Sequence, residues 1–444
     1  MREAKLSVAA RLRRLGIIEH FHLSWFAMVM GWGGIALVLN GFPAAKDPTS
    51  QRAMNITATV IWFWDLLYLI LALLLLGARV VLHPKAFWEM TKRPEFLFFG
   101  CVPMGFAIVA MGFPSFGVNL MSRAAAHYTA LVWFWIDVAL CILAVTLPAW
   151  NMIVYGGYFA ETIPSLWLLP FVSCMVCSAL AGVIGPSMET PFQQAYVNYC
   201  GYALWGAGAL ISGCIIPVYV ARLFLHSFPP AAAGNSVWVL LGPIGQGGNA
   251  IVTLGRNTGQ LQCSGYLCPS GETLNVTQHN QSSGESYSVP TCLCSSATPL
   301  HPIADMGLIA PGMTLLIGFI MWGFGIWLTF LSSAATLFHT RTANRAALAA
   351  RKGLSCCLED AAATEQGPAK AMPFSVAWWG MIFPLVTITM STYQLHTDTS
   401  WFFFEVVGSM FAASVTLIAC YVHVKTVLAA CRAPFWMKFK DAGH

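Results

Sequence analysis

The chain has 444 residues, 57% of them hydrophobic and 9% charged, with a formal net charge of +5 and a mean hydropathy of +0.66. Soluble domains carry about 25% charged residues, so this composition excludes a water-soluble globular protein and leaves a polytopic helical membrane protein. The basic residues are spread over the loops and no nucleotide-binding motif accompanies them, which excludes nucleic acid as a partner and ATP as an internal energy source.

In chain order, the basic N-terminus (Arg2, Lys5, Arg11, Arg13, Arg14) leads into an apolar run too long for the core of a cleavable signal. Hydropathy predicts an all-α protein of ten spans, near 22–40, 57–77, 96–113, 127–147, 165–185, 196–221, 235–255, 306–332, 374–394 and 401–424. An even number of spans leaves both termini on one side. Of the 23 Lys and Arg, all but Lys46, Arg52, Arg123 and Arg256 fall on that side, so the positive-inside rule makes residues 1–21 and 425–444 cytosolic. The sequons at Asn55, Asn275 and Asn280 all fall on the opposite side, where glycosylation occurs.

The outer loop 256–305 holds Cys263, Cys268, Cys292 and Cys294, an even set in an oxidising compartment. It reads as two disulfides whose pairing stays open among three arrangements. No spacing there fits a zinc finger, and no metal or cofactor is expected anywhere in the chain. The inner loop, 333–373, is basic at its start and then rich in Ala, Gly and Glu, which predicts a helical extension followed by a linker. Cys356 and Cys357 in it are a palmitoylation candidate, set against ordinary free thiols.

The odd spans share a habit. Span one has Gly31, Gly33 and Gly34, span three Pro103 and Gly105, span five Pro170, span seven Gly242, Pro243 and Gly245, and span nine Phe383-Pro384. Interior proline costs roughly 3 kcal/mol and glycine about 1 relative to alanine. Broken backbone at membrane depth is tolerated only inside protein or along a water-filled path. The even spans instead carry aromatic clusters: Trp62-Phe63-Trp64, Trp133-Phe134-Trp135 and Trp401-Phe402-Phe403-Phe404. The economical arrangement is five helical hairpins about a quasi-fivefold axis, with broken odd helices lining a pore and aromatic-rich even helices outside. Such a path suits anions where helix N-termini and backbone N–H groups face it and its cytosolic mouth is basic.

Three carboxyls fall within the spans. Asp65 and Asp137 are candidates for proton coupling, weighed against pinning of an outer helix to its neighbour through Tyr or Trp, while Glu405 reads as interfacial. His20 and His22 at the inner mouth are either pH sensors or helix-end residues. Neither His-Glu-x-x-His nor Gly-x-Ser-x-Gly occurs, so a membrane enzyme lacks its motif, and a receptor has no need of five broken helices.

In order along the chain stand Phe21-His22-Leu23-Ser24-Trp25-Phe26, Leu166-Trp167-Leu168-Leu169-Pro170, Arg222-Leu223-Phe224-Leu225-His226, Leu241 to Gly248, Trp322-Gly323-Phe324-Gly325-Ile326-Trp327, and Trp378-Trp379-Gly380 through Leu385. With these motifs the chain resembles the tellurite-resistance/dicarboxylate transporter family, which includes slow anion channels, malate permeases and fungal sulfite efflux pumps, and it is most similar to the last. The resemblance implies a plasma-membrane homotrimer with a pore in each protomer, carrying a small anion: sulfite or bisulfite outward, or alternatively a C4-dicarboxylate such as malate. It also implies that a span-nine phenylalanine, here Phe383, plugs the pore. Trp32 departs from the family pattern by standing where a small hydroxyl is expected.

Overall fold

The computed structural model describes residues 18–156, 163–263, 272–279, 286–293, 306–351 and 374–430. Ten helices are long and apolar enough to cross a bilayer: Leu23–Asn40, Pro48–Leu82, Pro94–Met111, Arg123–Tyr155, Ser165–Ser187, Pro191–His226, Ala233–Leu261, Ile309–Thr342, Val376–Thr399 and Phe402–Ala429, here spans one to ten. The span-eight helix runs on to Arg351. The outer loop adds an antiparallel pair, Glu272–His279 with Ser286–Leu293, the one departure from an all-α fold among the described residues.

Spans two, four and six start earlier than hydropathy alone places them, because capping chemistry sets the boundary. Asp47, Ser122 and Thr190 each accept a hydrogen bond from a backbone N–H three residues on, and Pro48 and Pro191 occupy the first helical positions after two of them. Asn55 consequently lies inside the span-two helix and not in the preceding loop.

The odd spans are built differently. Each opens with a 3-10 segment that passes into an α-helix: Leu23–Trp25 into Phe26–Asn40, Pro94–Gly100 into Cys101–Met111, Ser165–Leu168 into Leu169–Ile184, Ala231–Leu240 into Leu241–Cys263, and Val376–Trp378 into Trp379–Thr399. This corrects the expectation of mid-helix breaks. Pro103, Pro170 and Pro243 fall in the first turn of their α segments, where a backbone N–H has no intrahelical partner to lose. Only Pro384 sits deeper, leaving the Gly380 carbonyl without its usual intrahelical donor.

Between 67% and 94% of the apolar stretch of each odd span is buried, against 22% to 28% for each even span, which decides which helices are inside. Span one packs on three, three on five, five on seven, seven on nine, and nine back on one, closing a ring. Every even span lies in the groove between two ring members: two against one and three, four against three and five, six against five and seven, eight against seven and nine, ten against nine and one. Even spans bury only a narrow stripe. In span ten that stripe is Phe404, Gly408, Ala412, Val415, Ala419 and Val422, in steps of four and three, while Leu417 on the far side is 72% exposed to what is lipid in a membrane. Lipid tails are as apolar as leucine, so close approach through small residues, and not hydrophobic exclusion, holds such a helix in place.

Candidate functional site

A cavity of about 210 Å³ lies inside the ring near the N-terminal ends of the odd spans. All five odd spans line it, and each does so in steps of three residues: Ser24, Ala27, Met30; Phe98, Cys101, Met104; Leu166, Leu169, Val172; Ser236, Val239, Gly242; Ala377, Gly380, Phe383. The spacing follows from the local structure. In a 3-10 helix residues three apart eclipse, and in the α turn that follows they stay nearly on one face. The side chains therefore stack in layers of five. The deepest layer holds Met30, Met104, Val172, Gly242 and Phe383, of which Phe383 is the only aromatic member and is 3% exposed.

Among the described residues no charged side chain lines this vestibule; its polar groups are Ser24, Asn235 and Ser236. The Trp379 indole, though on the wall, donates outward to Thr426 Oγ1 of span ten at 3.0 Å. Next to the mouth, a second cavity of about 220 Å³ brings three carboxyls, Glu19, Glu89 and Glu95, to two guanidinium groups, Arg79 and Arg93. This side cavity is mixed in sign. His22 ends the chain's approach to span one as a cap: its Nδ1 accepts from the Ser24 backbone N–H at 3.1 Å. Burial first, then the Arg79 guanidinium, hold its pKa down at about 4 from an ordinary 6.5, so it is neutral at physiological pH and does not switch there.

The glycines of the expected pore wall serve approach between helices. Cβ atoms at Gly31 and Gly34 would lie 2.8 Å from Trp379 and 2.6 Å from Val386, both of span nine. At Gly245 one would lie 2.7 Å from the Ile388 backbone nitrogen, and at Gly105 3.4 Å from Val29 of span one. Gly33 meets the Asp65 carboxylate and Ile108, each 2.5 Å from its Cβ position. Gly242, Phe383 and Pro384 alone among the expected wall residues line the cavity, and Pro103, Pro170 and Pro243 are buried beside it. Trp32 faces span ten, donating from Nε1 to His423 Nδ1 at 3.3 Å, and takes no part in the lining.

Asp65 and Asp137 are fully buried. Neither reaches a Tyr or Trp: Trp62, one turn before Asp65, donates instead to the Val109 carbonyl at 2.9 Å, and Asp65 finds no hydrogen-bond partner among the described residues. Asp137 lies 3.9 Å from the Cys141 thiol, and with Cys177 these form the one group of three metal-capable side chains among the described residues, their ligand atoms within 4.8 Å of one another. At the far end of the bundle Glu405 pairs with Lys46 at 2.7 Å and Asp398 with Arg256 at 2.6 Å, so two of the four basic residues on that side are neutralised. Asn55 donates to Asn40 Oδ1 at 2.9 Å. Asn275 is on the first loop strand, facing Pro290 in register. Asn280, Cys268, Cys294, Cys356 and Cys357 lie outside the described residues, as do the side chains of Cys263 and Cys292.

A family model described as voltage-dependent anion channel matches residues 20–427, a range that takes in all five lining triplets. The chain belongs to this family. Among its relatives, a sulfite efflux pump of Trichophyton rubrum is 26% identical over 416 residues, covering 93% of this chain and 92% of that protein. A sulfite efflux pump of Saccharomyces cerevisiae is 22% identical over 458 residues, covering 92% and 88%. A putative malic acid transport protein of Schizosaccharomyces pombe is 26% identical over 241 residues, covering 52% and 53%. This membership agrees with the resemblance that the motifs carry, and it makes the chain a multi-pass member of an anion-transport family. The three-residue step across Ser24, Ala27 and Met30 and its four counterparts is marked by no shared residue type, so a search for Gly and Pro passes over it.

Proposed function

We propose that the protein exports sulfite or bisulfite across the plasma membrane along the axis of the inner ring, with Phe383 as the plug. One observation carries this reading: five triplets, one from each odd span, converge on a vestibule whose deepest layer contains that single aromatic ring. With the termini cytosolic, the odd spans begin on the inner side and the vestibule faces the cytosol, as export requires. Its uncharged wall lets an anion enter without binding it too tightly to leave, and a ring that fills a narrow dry tube seals it until it swings aside.

Sulfite is preferred because relatives named for sulfite efflux align along nearly the whole chain. Malate is the second reading, favoured by the malic acid transport relative that aligns over half of it. Purified protein in proteoliposomes loaded in turn with sulfite, malate, nitrate and chloride tests both. Sulfite efflux exceeding malate efflux is expected; the reverse order replaces the first reading with the second, and no flux of any of the four overturns both. We also propose that three copies assemble, each with its own path; light scattering in detergent that returns a single-chain mass rules this out.

A further inference from the structure

Span seven carries a polar group that the vestibule does not use. Gln246 is 0% exposed, and neither its Oε1 nor its Nε2 has a hydrogen-bond partner among the described residues. Asn249 is 1% exposed, with Oδ1 likewise unpartnered. Leaving one buried amide group unsatisfied costs about 1–3 kcal/mol, so two in succession on one helix ask for a ligand.

Their direction follows from the contacts around them. Gly242 belongs to the deepest vestibule layer, and steps of four and then three along an α-helix bring Gln246 and Asn249 onto its face. The other faces of span seven are taken. Ile244 meets Gly325 of span eight, and Gly247 meets Met321 of span eight while its carbonyl accepts from Trp205 Nε1 of span six at 2.9 Å. Gly245 abuts Thr387 and Ile388 of span nine. Gln246 therefore faces the ring axis, about one turn, or roughly 6 Å, beyond the layer of Phe383. The same step past the deepest layer on the other four spans reaches Gly33 and Gly34, Ala107 and Ile108, Met175 and Val176, and Val386 and Thr387, none of them charged.

A primary amide offers two N–H donors beside a carbonyl acceptor. That pairing fits an oxyanion that still bears its own acidic proton: N–H donates to the charged oxygen while the amide carbonyl accepts from the O–H. A lysine or arginine there would hold an anion too firmly for conduction, whereas a neutral amide binds and releases. Resting on the anion-transport reading, we infer that Gln246, seconded by Asn249, is a binding station for a hydrogen-form monoanion such as hydrogensulfite, one turn behind the Phe383 plug.

The test uses the full chain in detergent and in proteoliposomes, as wild type, Gln246→Leu and Gln246→Glu. Sulfite should raise the wild-type thermal midpoint more at a pH that keeps it as hydrogensulfite than at one that strips the proton, and chloride should raise it less. Gln246→Leu should abolish that shift and lower sulfite flux by about tenfold or more, the size expected for a hydrogen bond to a charged group. It should leave the anion-free midpoint unchanged or higher, since it removes an unpaired buried amide and not a contact. Gln246→Glu keeps the shape and should lose the shift too, which covers the case in which the leucine variant fails to fold. A sulfite shift that survives in either folded variant, or no shift in the wild type with sulfite or malate, overturns the station. A wild-type shift lost in the variants, without flux in any of them, keeps the station and overturns the transport reading instead.

Discussion

Phe383 and His22 show how little of a residue's role is carried by its type. A phenylalanine in a membrane protein is ordinarily packing, and Phe383 is 3% exposed like many others, yet its neighbours in the layer are Met30, Met104, Val172 and Gly242 of four other helices. Displacing such a ring costs on the order of 1 kcal/mol of rotamer strain, so Phe383→Ala should raise anion flux in proteoliposomes by about fivefold or more. A variant that conducts no better than its parent removes the plug from the mechanism. His22 runs the other way: its position at the mouth invites a sensor, but enclosure makes it a neutral cap. Its folded pKa of about 4 lies below the ordinary 6.5, so between these values the unfolded chain binds the proton and the folded one does not. Stability is therefore held above about pH 6.5 and lost as pH falls toward 4, by on the order of 2–3 kcal/mol. His22→Asn keeps a capping acceptor without the titration. Its thermal midpoint should fall less than that of the wild type between neutral pH and pH about 4.5.

At the scale of the helix, the odd and even spans obey different rules because they have different surroundings. An even span faces lipid on most of its surface, so its ends are decided by local caps such as Asp47 and Thr190 and its buried stripe is narrow. An odd span is enclosed on all sides, so its glycines are contact points. Gly245→Ala tests this, because the new methyl would sit 2.4 Å from Thr387 Oγ1 and 2.7 Å from the Ile388 backbone nitrogen, and backbone cannot rotate away. We expect a loss of about 1–3 kcal/mol, read as a lower thermal midpoint, from forcing spans seven and nine apart. Gly77, with nothing within 4 Å of its Cβ position, is the control and should tolerate alanine.

For the whole molecule, the ring order one, three, five, seven, nine makes every inner helix the neighbour of two others and sets the even helices in the five grooves between them. Which end faces the cytosol rests on the distribution of Lys and Arg, and the ion pairs of Lys46 and Arg256 leave the opposite end with less free positive charge than its count implies. Expression in a glycosylating cell reads the sidedness directly. Glycosidase treatment should shift the mobility of the wild type, and Asn275→Gln with Asn280→Gln together should abolish the shift. Glycans that persist in the double variant would move the modification to Asn55, whose amide is already engaged with Asn40.

Ten spans, the split between odd and even helices and the family were all legible before any coordinates, because bilayer thickness, the scarcity of charge and the placement of Gly, Pro and aromatic residues are properties of the chain read linearly. Facing was not. Whether Gly33 borders a lumen or the Asp65 carboxyl, whether Trp32 narrows a path or binds His423, and whether Gln246 looks inward all turn on the rotation of each helix about its own axis. That rotation is set by contacts between spans distant in sequence, and in helices buried on every side no amphipathic pattern records it.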